Sequence, residues 1–148
     1  MVAAPRRAFS DTIPVMKKLV PFLLLTAPLF AHHSFQAEYD ASKTVSIKGV
    51  VKRVAWVNPH AYVYVEATDA SGKAVTWAFE SLSPNALQIR GWSRTSLKEG
   101  DHVTVDGYLA KDGKPLADGS LHANSRLITL DDGRKVFAGS SADDEATK

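Results

Sequence analysis

Three histidines in the first half of the chain are of a type and spacing that suit metal binding. His32 and His33 are adjacent and directly follow Ala31, and His60 lies in a predicted turn. If the chain is cut after Ala31, His32 gains a free α-amino group, and that amine and the ring Nδ1 can close a chelate around one ion. Imidazole nitrogens suit Cu(II), Zn(II) and Ni(II), and Cu(II) binds most tightly in the usual order. We therefore predict a metal site at His32, His33 and His60, with copper favoured.

The same three histidines also have an ordinary explanation. A complete metal site normally has three or four ligands, so His32 and His33 alone fall short of one and can instead form a solvated extension. Asn58 and Pro59 are typical turn residues, so His60 can equally be an ordinary turn histidine. Both explanations stay open at the level of the sequence.

The other polar side chains give little support to catalysis. His102 and His122 fall on strand positions that point away from the apolar residues, so we expect them to be solvated. Glu66 and Glu80 lie on predicted strands and have no evident partner. The sequence contains no Gly-x-Ser-x-Gly elbow, phosphate-binding glycine loop or His-Glu-x-x-His motif. We therefore expect a binding protein that is not an enzyme.

An aromatic group on two predicted strands offers a second kind of binding. Trp56, Tyr62 and Tyr64 are predicted to face outward beside the turn that contains Asn58, where they could stack on a flat ligand. Cross-strand aromatic pairing that stabilises the sheet is the ordinary explanation. The alternative function is therefore an interaction module for a partner protein, a glycan or an envelope component, without a metal.

The segment ahead of the histidines has the layout of a secretory signal. Lys17 and Lys18 form a positive region after Met16, residues 19–30 are mostly apolar, and Ala31 is a small residue at the expected cut. As a helix, twelve residues reach only about 18 Å, whereas the hydrocarbon core of a bilayer is about 30 Å thick. We therefore expect cleavage after Ala31 and no stable membrane span afterwards.

The first fifteen residues raise a question about the start site and the export route. Met16 is the more natural start, which would make residues 1–15 a product of start-site misassignment. Arg6 and Arg7 offer an alternative, because they resemble a twin-arginine export signal. Either route predicts a periplasmic or secreted protein.

Composition after the predicted cut excludes several classes of function. Residues 1–31 hold four of the 18 basic side chains and one of the 16 acidic ones, so the remainder is close to neutral. It has no basic stripe, so we expect no nucleic-acid partner. The chain has no cysteine, and both methionines lie in the leader. A mature protein without sulfur fits an oxidising compartment and excludes thiolate metal sites.

Beyond the leader, alternating apolar residues predict a mainly β protein. Strand signals cover 45–57, 62–67, a third segment with Val75, Trp77 and Phe79 on one face, a fourth with Val103, Val105 and Leu109 inward, 121–130 and 134–137. Gly49 is expected to kink or bulge the first strand. The predicted domains are a leader at 1–31, an extension at 32–43, a barrel at 44–137 and a disordered tail at 138–148.

A short helix is predicted between the third and fourth strands. Ser83 suits the N-cap, Pro84 the first helical position and Gly91 the C-terminal cap, while Ile89 is an apolar member of the helix. Three strands, a helix and two strands form the element order of a small OB-like five-stranded barrel. An open β-sandwich is the alternative topology.

Five ordered sequence blocks support a resemblance to a known family. They are His32-His33-Ser34-Phe35, Trp56-Val57-Asn58-Pro59-His60, Ser83-Pro84-Asn85-Ala86-Leu87 with Gly91-Trp92, Leu97-Lys98-Glu99-Gly100-Asp101, and Gly133-Arg134-Lys135-Val136-Phe137-Ala138-Gly139. With these blocks, the chain from Ala31 to about Gly139 resembles the small exported bacterial proteins grouped as domain of unknown function 6152. The resemblance implies export and a β-rich fold. It implies no activity.

Overall fold

The computed structural model of the 148-residue chain describes Met1 and residues 35–139. Residues 2–34, which hold the rest of the predicted leader with His32 and His33, and residues 140–148 lie outside the described residues. The chain divides into two compact units, Met1–Ala31 and His32–Lys148, and every element described below belongs to the second unit. Within the described part of the chain, no helix has the length and apolar character that crossing a membrane requires.

Six strands and two short helices make up the described region. In chain order they are α1 (Phe35–Glu38), β1 (Tyr39–Ala55), β2 (Tyr62–Thr68), β3 (Ala74–Glu80), α2 (Pro84–Ile89), β4 (His102–Ala110), β5 (Leu121–Leu130) and β6 (Lys135–Phe137). The prediction of a mainly β protein with one short helix between the third and fourth strands is confirmed. The first strand begins earlier than predicted, so residues 39–43 of the predicted extension are part of β1.

The strands close into a five-stranded barrel. β1 pairs antiparallel with both β2 and β4, β2 pairs with β3, and β4 pairs with β5. A parallel pairing of β3 with β5 completes the ring, and β6 extends the sheet beyond β5. The predicted OB-like barrel is confirmed, and the alternative of an open sandwich is wrong because β3 and β5 pair with each other.

Two glycines allow strands of the barrel to approach closely. A Cβ at Gly49 would lie 2.2 Å from the carbonyl oxygen of Glu66, and a Cβ at Gly107 would lie 1.8 Å from that of Asn124. The pairing of β1 with β2 shifts register between Val51 and Arg53, not at Gly49. The bulge predicted at Gly49 is therefore misplaced, since this glycine serves close approach.

The barrel interior is filled by the apolar residues of the alternating pattern. Val63, Val65, Phe79, Val103 and Val105 are all at most 1% exposed. Successive side chains of a strand point to opposite faces, so the residues between them form the outer face. Ala138 also lies in this core, and the Gly139 amide donates to the carbonyl of Arg126 at 3.2 Å. The predicted tail at 138–148 therefore begins too early.

The helix α2 is capped at both ends and packs against the core through Leu87. The Ser83 hydroxyl accepts a hydrogen bond from the Ala86 amide at 3.3 Å, as expected of an N-cap, and Gly91 has a positive φ of 88°. Leu87 is fully buried, whereas Ile89 is 79% exposed. Ile89 belongs to the helix as predicted but lies outside the core, because a six-residue helix has room for only one buried face.

A second, smaller apolar cluster covers the outside of the barrel. It consists of Phe35, Tyr39 and Ala110, with Tyr108 packed against them. The Phe35 ring lies 5.5 Å from the Tyr39 ring and 5.4 Å from the Tyr108 ring. Tyr108 and Ala110 alternate with the inward residues of β4, so this cluster lies on the outer face. The segment from α1 into β1 therefore covers part of the barrel wall.

Candidate functional site

The candidate site lies on the outer face of the barrel, where β3 and β5 run side by side. Phe79 and Ala123 point into the core and are paired in the parallel ladder. Their chain neighbours Glu80 and His122 therefore point outward. Their side chains are nevertheless only 7% and 8% exposed. The barrel seam thus carries a buried carboxylate and a buried imidazole beside each other.

Glu80 is the centre of this arrangement. His60 Nδ1 contacts its Oε1, and the Tyr62 hydroxyl donates a 2.8 Å hydrogen bond to its Oε2. His122 Nε2 lies 3.7 Å from the same Oε2. β2 is antiparallel to β3 and pairs Tyr62 directly with Glu80, and the β1–β2 connection brings His60 to the same end. Three segments thus converge on one carboxylate.

The surroundings of Glu80 set the protonation of its neighbours. Burial opposes ionisation of Glu80, but the neighbouring His122, His60 and Tyr62 side chains outweigh it, so the pKa of Glu80 lies well below its usual range. The hydrogen bond to Glu80 raises the pKa of His60 above its ordinary value, although burial acts in the opposite direction. The pair therefore favours a carboxylate beside a protonatable imidazole.

Two phenols enclose the carboxylate and the buried imidazole. The Tyr39 hydroxyl lies 2.8 Å from His122 Nε2, and the two rings meet edge to face at 5.4 Å. Burial and the nearby Glu80 raise the pKa of both Tyr39 and Tyr62. Both phenols therefore stay protonated and uncharged.

Glu38, at the end of α1, adds a second carboxylate. Glu38, Glu80 and His122 each offer one oxygen or nitrogen, and these three atoms all lie within 4.8 Å of one another. An adjoining cavity of about 260 Å³ is lined by Ala37, Glu38, Ala110, Lys111, Asp112 and His122. The arrangement provides oxygen and imidazole donors of the kind that bind divalent transition metals.

Among the residues predicted to bind a metal, the structure describes only His60. It belongs to the site, because its ring contacts Glu80, and its side chain is 33% exposed. His32 and His33 lie outside the described residues, but Phe35, three residues after His32, is buried in the cluster that covers this face. Asn58, two residues before His60 in the same turn, is exposed and is joined to Pro59 by a cis peptide bond.

The predicted aromatic group is divided between two environments. Trp56 packs against the main core, and its ring lies 6.3 Å from that of Trp92. Tyr62 and Tyr64 lie on the outer face with their rings 6.3 Å apart, and the Arg53 guanidinium stacks 3.4 Å above the Tyr64 ring. Tyr62 is thus the member of this group that takes part in the Glu80 site.

Sequence reasoning missed two of the central residues. His122 was expected to be solvated and Glu80 to have no partner, and both expectations are wrong, whereas His102 is exposed as predicted. An outward strand position faces solvent only where nothing covers it, and the α1–β1 segment covers this part of the barrel wall. Phe35 and Tyr39, two aromatics four residues apart ahead of the barrel, were the available signal of an apolar cover.

Comparison with known proteins gives a family without a described activity. No curated protein and no solved structure matches the chain. A family model described as a family of unknown function, DUF6152, matches residues 22–119, well over half of the chain. The matched range includes every residue of the site around Glu80 except His122. The chain belongs to this family, DUF6152.

Proposed function

We propose that this protein is an exported, non-catalytic binding protein that takes up Cu(II) through a processed N-terminal His32, with His60 and His33 as further nitrogen ligands. The observation that carries the proposal is the contact between Glu80 and His60 Nδ1. A carboxylate that holds one nitrogen of a histidine leaves the other nitrogen for a metal and fixes the direction of the ring. In His60 this nitrogen is Nε2.

The environment of His60 suits a ligand that must be both fixed and accessible. Glu80 is almost fully buried and also accepts a hydrogen bond from Tyr62, so it is a rigid anchor. The His60 side chain is one-third exposed, which allows an ion to approach from solvent. The proton on His60 competes with a metal, so binding should strengthen as the pH rises.

The position of Phe35 supports the participation of the N-terminal histidines. Phe35 is 3% exposed and stacks on Tyr39, whose hydroxyl contacts His122 next to Glu80. Three residues span at most about 11 Å. A chain that begins at His32 therefore starts within about 11 Å of Phe35, which belongs to the cluster covering the site.

Composition and the leader favour Cu(II) and an exported protein. The signal-like segment ends at Ala31, and the boundary between the two compact units falls at the same residue. No cysteine exists in the chain, and both methionines precede His32. A processed protein would have no soft sulfur ligand for Cu(I), whereas imidazole and amine nitrogens suit Cu(II).

The test is a Cu(II) titration of the chain from His32 to Lys148, followed by calorimetry and electron paramagnetic resonance. We expect one Cu(II) with nitrogen ligation in the protein that begins at His32. One glycine added ahead of His32 should lower the affinity at least tenfold, because the amine moves out of chelating position, and His60→Ala should also lower it.

His102→Ala is the matched control, since His102 is an exposed histidine on β4 outside the site. This variant should bind Cu(II) as the parent does. Equal affinity of the parent and the glycine-extended protein would refute the N-terminal chelate, and equal affinity of His60→Ala would refute the role of His60.

The alternative function, an interaction module with an aromatic face, has weaker support. Trp56 packs against the core, and the Tyr62 hydroxyl is engaged by Glu80. Tyr64, stacked with Arg53, is the member of the group that remains for a partner. If this alternative holds, Tyr64→Ala abolishes partner binding in envelope extracts, while His60→Ala leaves it unchanged.

A further inference from the structure

We infer that Glu38, Glu80 and His122 form a second metal site, which takes a divalent ion such as Zn(II) and does not need a free N-terminus. This site uses a different imidazole from the proposed copper site and reaches Glu80 through its other oxygen, Oε2. Binding at this site therefore does not depend on cleavage of the chain after Ala31.

The geometry of the three ligands is close to that of a zinc site. The three donor atoms lie within 4.8 Å of one another. Zinc binds oxygen and nitrogen at about 2.0 to 2.2 Å in a tetrahedral arrangement, so neighbouring donor atoms end about 3.4 Å apart. Small side-chain movements close that difference. One imidazole and two carboxylates leave the fourth position for water.

The two carboxylates of this cluster favour the binding of a cation. Buried carboxylates in proteins are normally paired with a positive group or bind a metal. In the described part of the chain, the basic side chains within 4 Å of the Glu80 carboxylate are His60 and His122, with no lysine or arginine. Tyr39 and Tyr62 contribute only neutral hydrogen bonds. A divalent ion would balance the two carboxylates.

The ligands come from three separate elements that the fold holds in place. Glu38 ends α1, Glu80 ends β3, and His122 lies at the start of β5. The parallel pairing fixes β3 against β5, and the Phe35 cluster fixes α1 on the barrel wall. The cavity of about 260 Å³, lined in part by Glu38 and His122, provides an entry path for an ion.

Tyr39 gains a defined part in this site. Its hydroxyl lies 2.8 Å from His122 Nε2, one of the two ring nitrogens that could ligate a metal. Metal binding requires Nε2 to be unprotonated and free of this contact. The Tyr39 hydroxyl would then be available as a donor to the ligating groups.

The test uses the chain from His32 to Lys148 with one glycine ahead of His32, so that the N-terminal chelate is disabled. Co(II) serves as the spectroscopic probe for a site of this type, and Zn(II) as the competitor. We expect one Co(II) per chain with visible absorption of four- or five-coordinate geometry, displaced by one equivalent of Zn(II). Glu38→Gln and His122→Ala should each weaken Co(II) binding at least tenfold.

Glu66→Gln is the matched control, because Glu66 is an exposed strand glutamate paired with Lys52 at 3.7 Å. Thermal unfolding without metal verifies that each variant is folded. Glu38 is half-buried at a helix end, so Glu38→Gln should fold. This variant therefore tests the site even if His122→Ala unfolds the chain. Absence of Co(II) binding, or unchanged binding by folded Glu38→Gln, would overturn the inference whatever the outcome of the Cu(II) titration.

Discussion

At the scale of single residues, the central feature is the buried carboxylate of Glu80 and the side chains that contact it. Its side chain is 7% exposed, yet its hydrogen-bonding partners keep it ionised. His60 and Tyr62 each bind one of its two oxygens. Hydrogen bonds to charged groups contribute about 1.5 to 3 kcal/mol each. These contacts should therefore stabilise the folded protein.

The stability of the metal-free protein should depend on pH through Glu80 and His60. The pKa of Glu80 is lowered from 4.5, so its contribution is complete above about pH 4.5 and is lost as the pH falls through the native pKa. The pKa of His60 is raised from 6.5, so its contribution is complete below about pH 6.5 and is lost as the pH rises through the native pKa. We expect maximal stability between these two values, measured by urea unfolding in the presence of a chelator.

Glu80→Gln should lower the free energy of unfolding by about 2 to 3 kcal/mol near pH 5.5, because charge-assisted hydrogen bonds become neutral ones. It should also flatten the decline on either side of the maximum. Glu66→Gln, which removes an exposed ion pair, should cost less than about 1 kcal/mol. A Glu80→Gln curve that runs parallel to the parent curve would show that Glu80 does not control the pH dependence.

At the scale of elements, the barrel strands follow from local pattern, but their covering segment does not. Alternation in β2 and β4 places Val63, Val65, Val103 and Val105 in the core, and capping residues determine α2. The segment from α1 into β1 has no such pattern. Its aromatic residues are buried only because Tyr108 and Ala110, some seventy residues later, present an outward apolar patch.

Close strand approach at Gly107 gives a prediction at this scale. A Cβ at this position would lie 1.8 Å from the carbonyl oxygen of Asn124, so Gly107→Ala forces β4 away from β5. Overpacking of this kind costs about 1 to 3 kcal/mol, and chemical denaturation should report a loss in that range. The shift of β5 should also weaken Co(II) binding, since it carries His122.

Gly72→Asn is the control for Gly107→Ala. Gly72 has a positive φ of 84°, no neighbour lies within 4 Å of a Cβ built there, and asparagine tolerates this conformation. This variant should stay within about 0.5 kcal/mol of the parent. A Gly107→Ala protein as stable as the Gly72→Asn protein would contradict the close approach.

At the scale of the whole molecule, barrel closure assembles the site. Glu38, His60, Glu80 and His122 are separated by about twenty to forty residues along the chain. They meet because β3 and β5 pair in parallel at the seam and because the N-terminal segment returns over that seam.

If the proposed export signal is cut after Ala31, the exported species begins at His32. We expect the intact mass of protein recovered from the bacterial envelope under non-denaturing conditions to match residues 32–148 with bound metal, and the mass after acidification to match the chain alone. The protein with Ala31→Leu, which blocks the small-residue cut, should retain its leader. A mature terminus elsewhere would refute the copper chelate and leave the Glu38–Glu80–His122 site unaffected.

The sequence by itself determined the barrel strands and the helix α2, because apolar alternation and capping residues are local properties. The export signal stays a prediction from the layout of the leader. It also singled out His60. Only the tertiary structure decided that Glu80 and His122 are buried partners, because outward strand positions become enclosed when a distant segment covers them. Burial of an outward residue depends on a non-local contact, and no pattern within β3 or β5 contains that information.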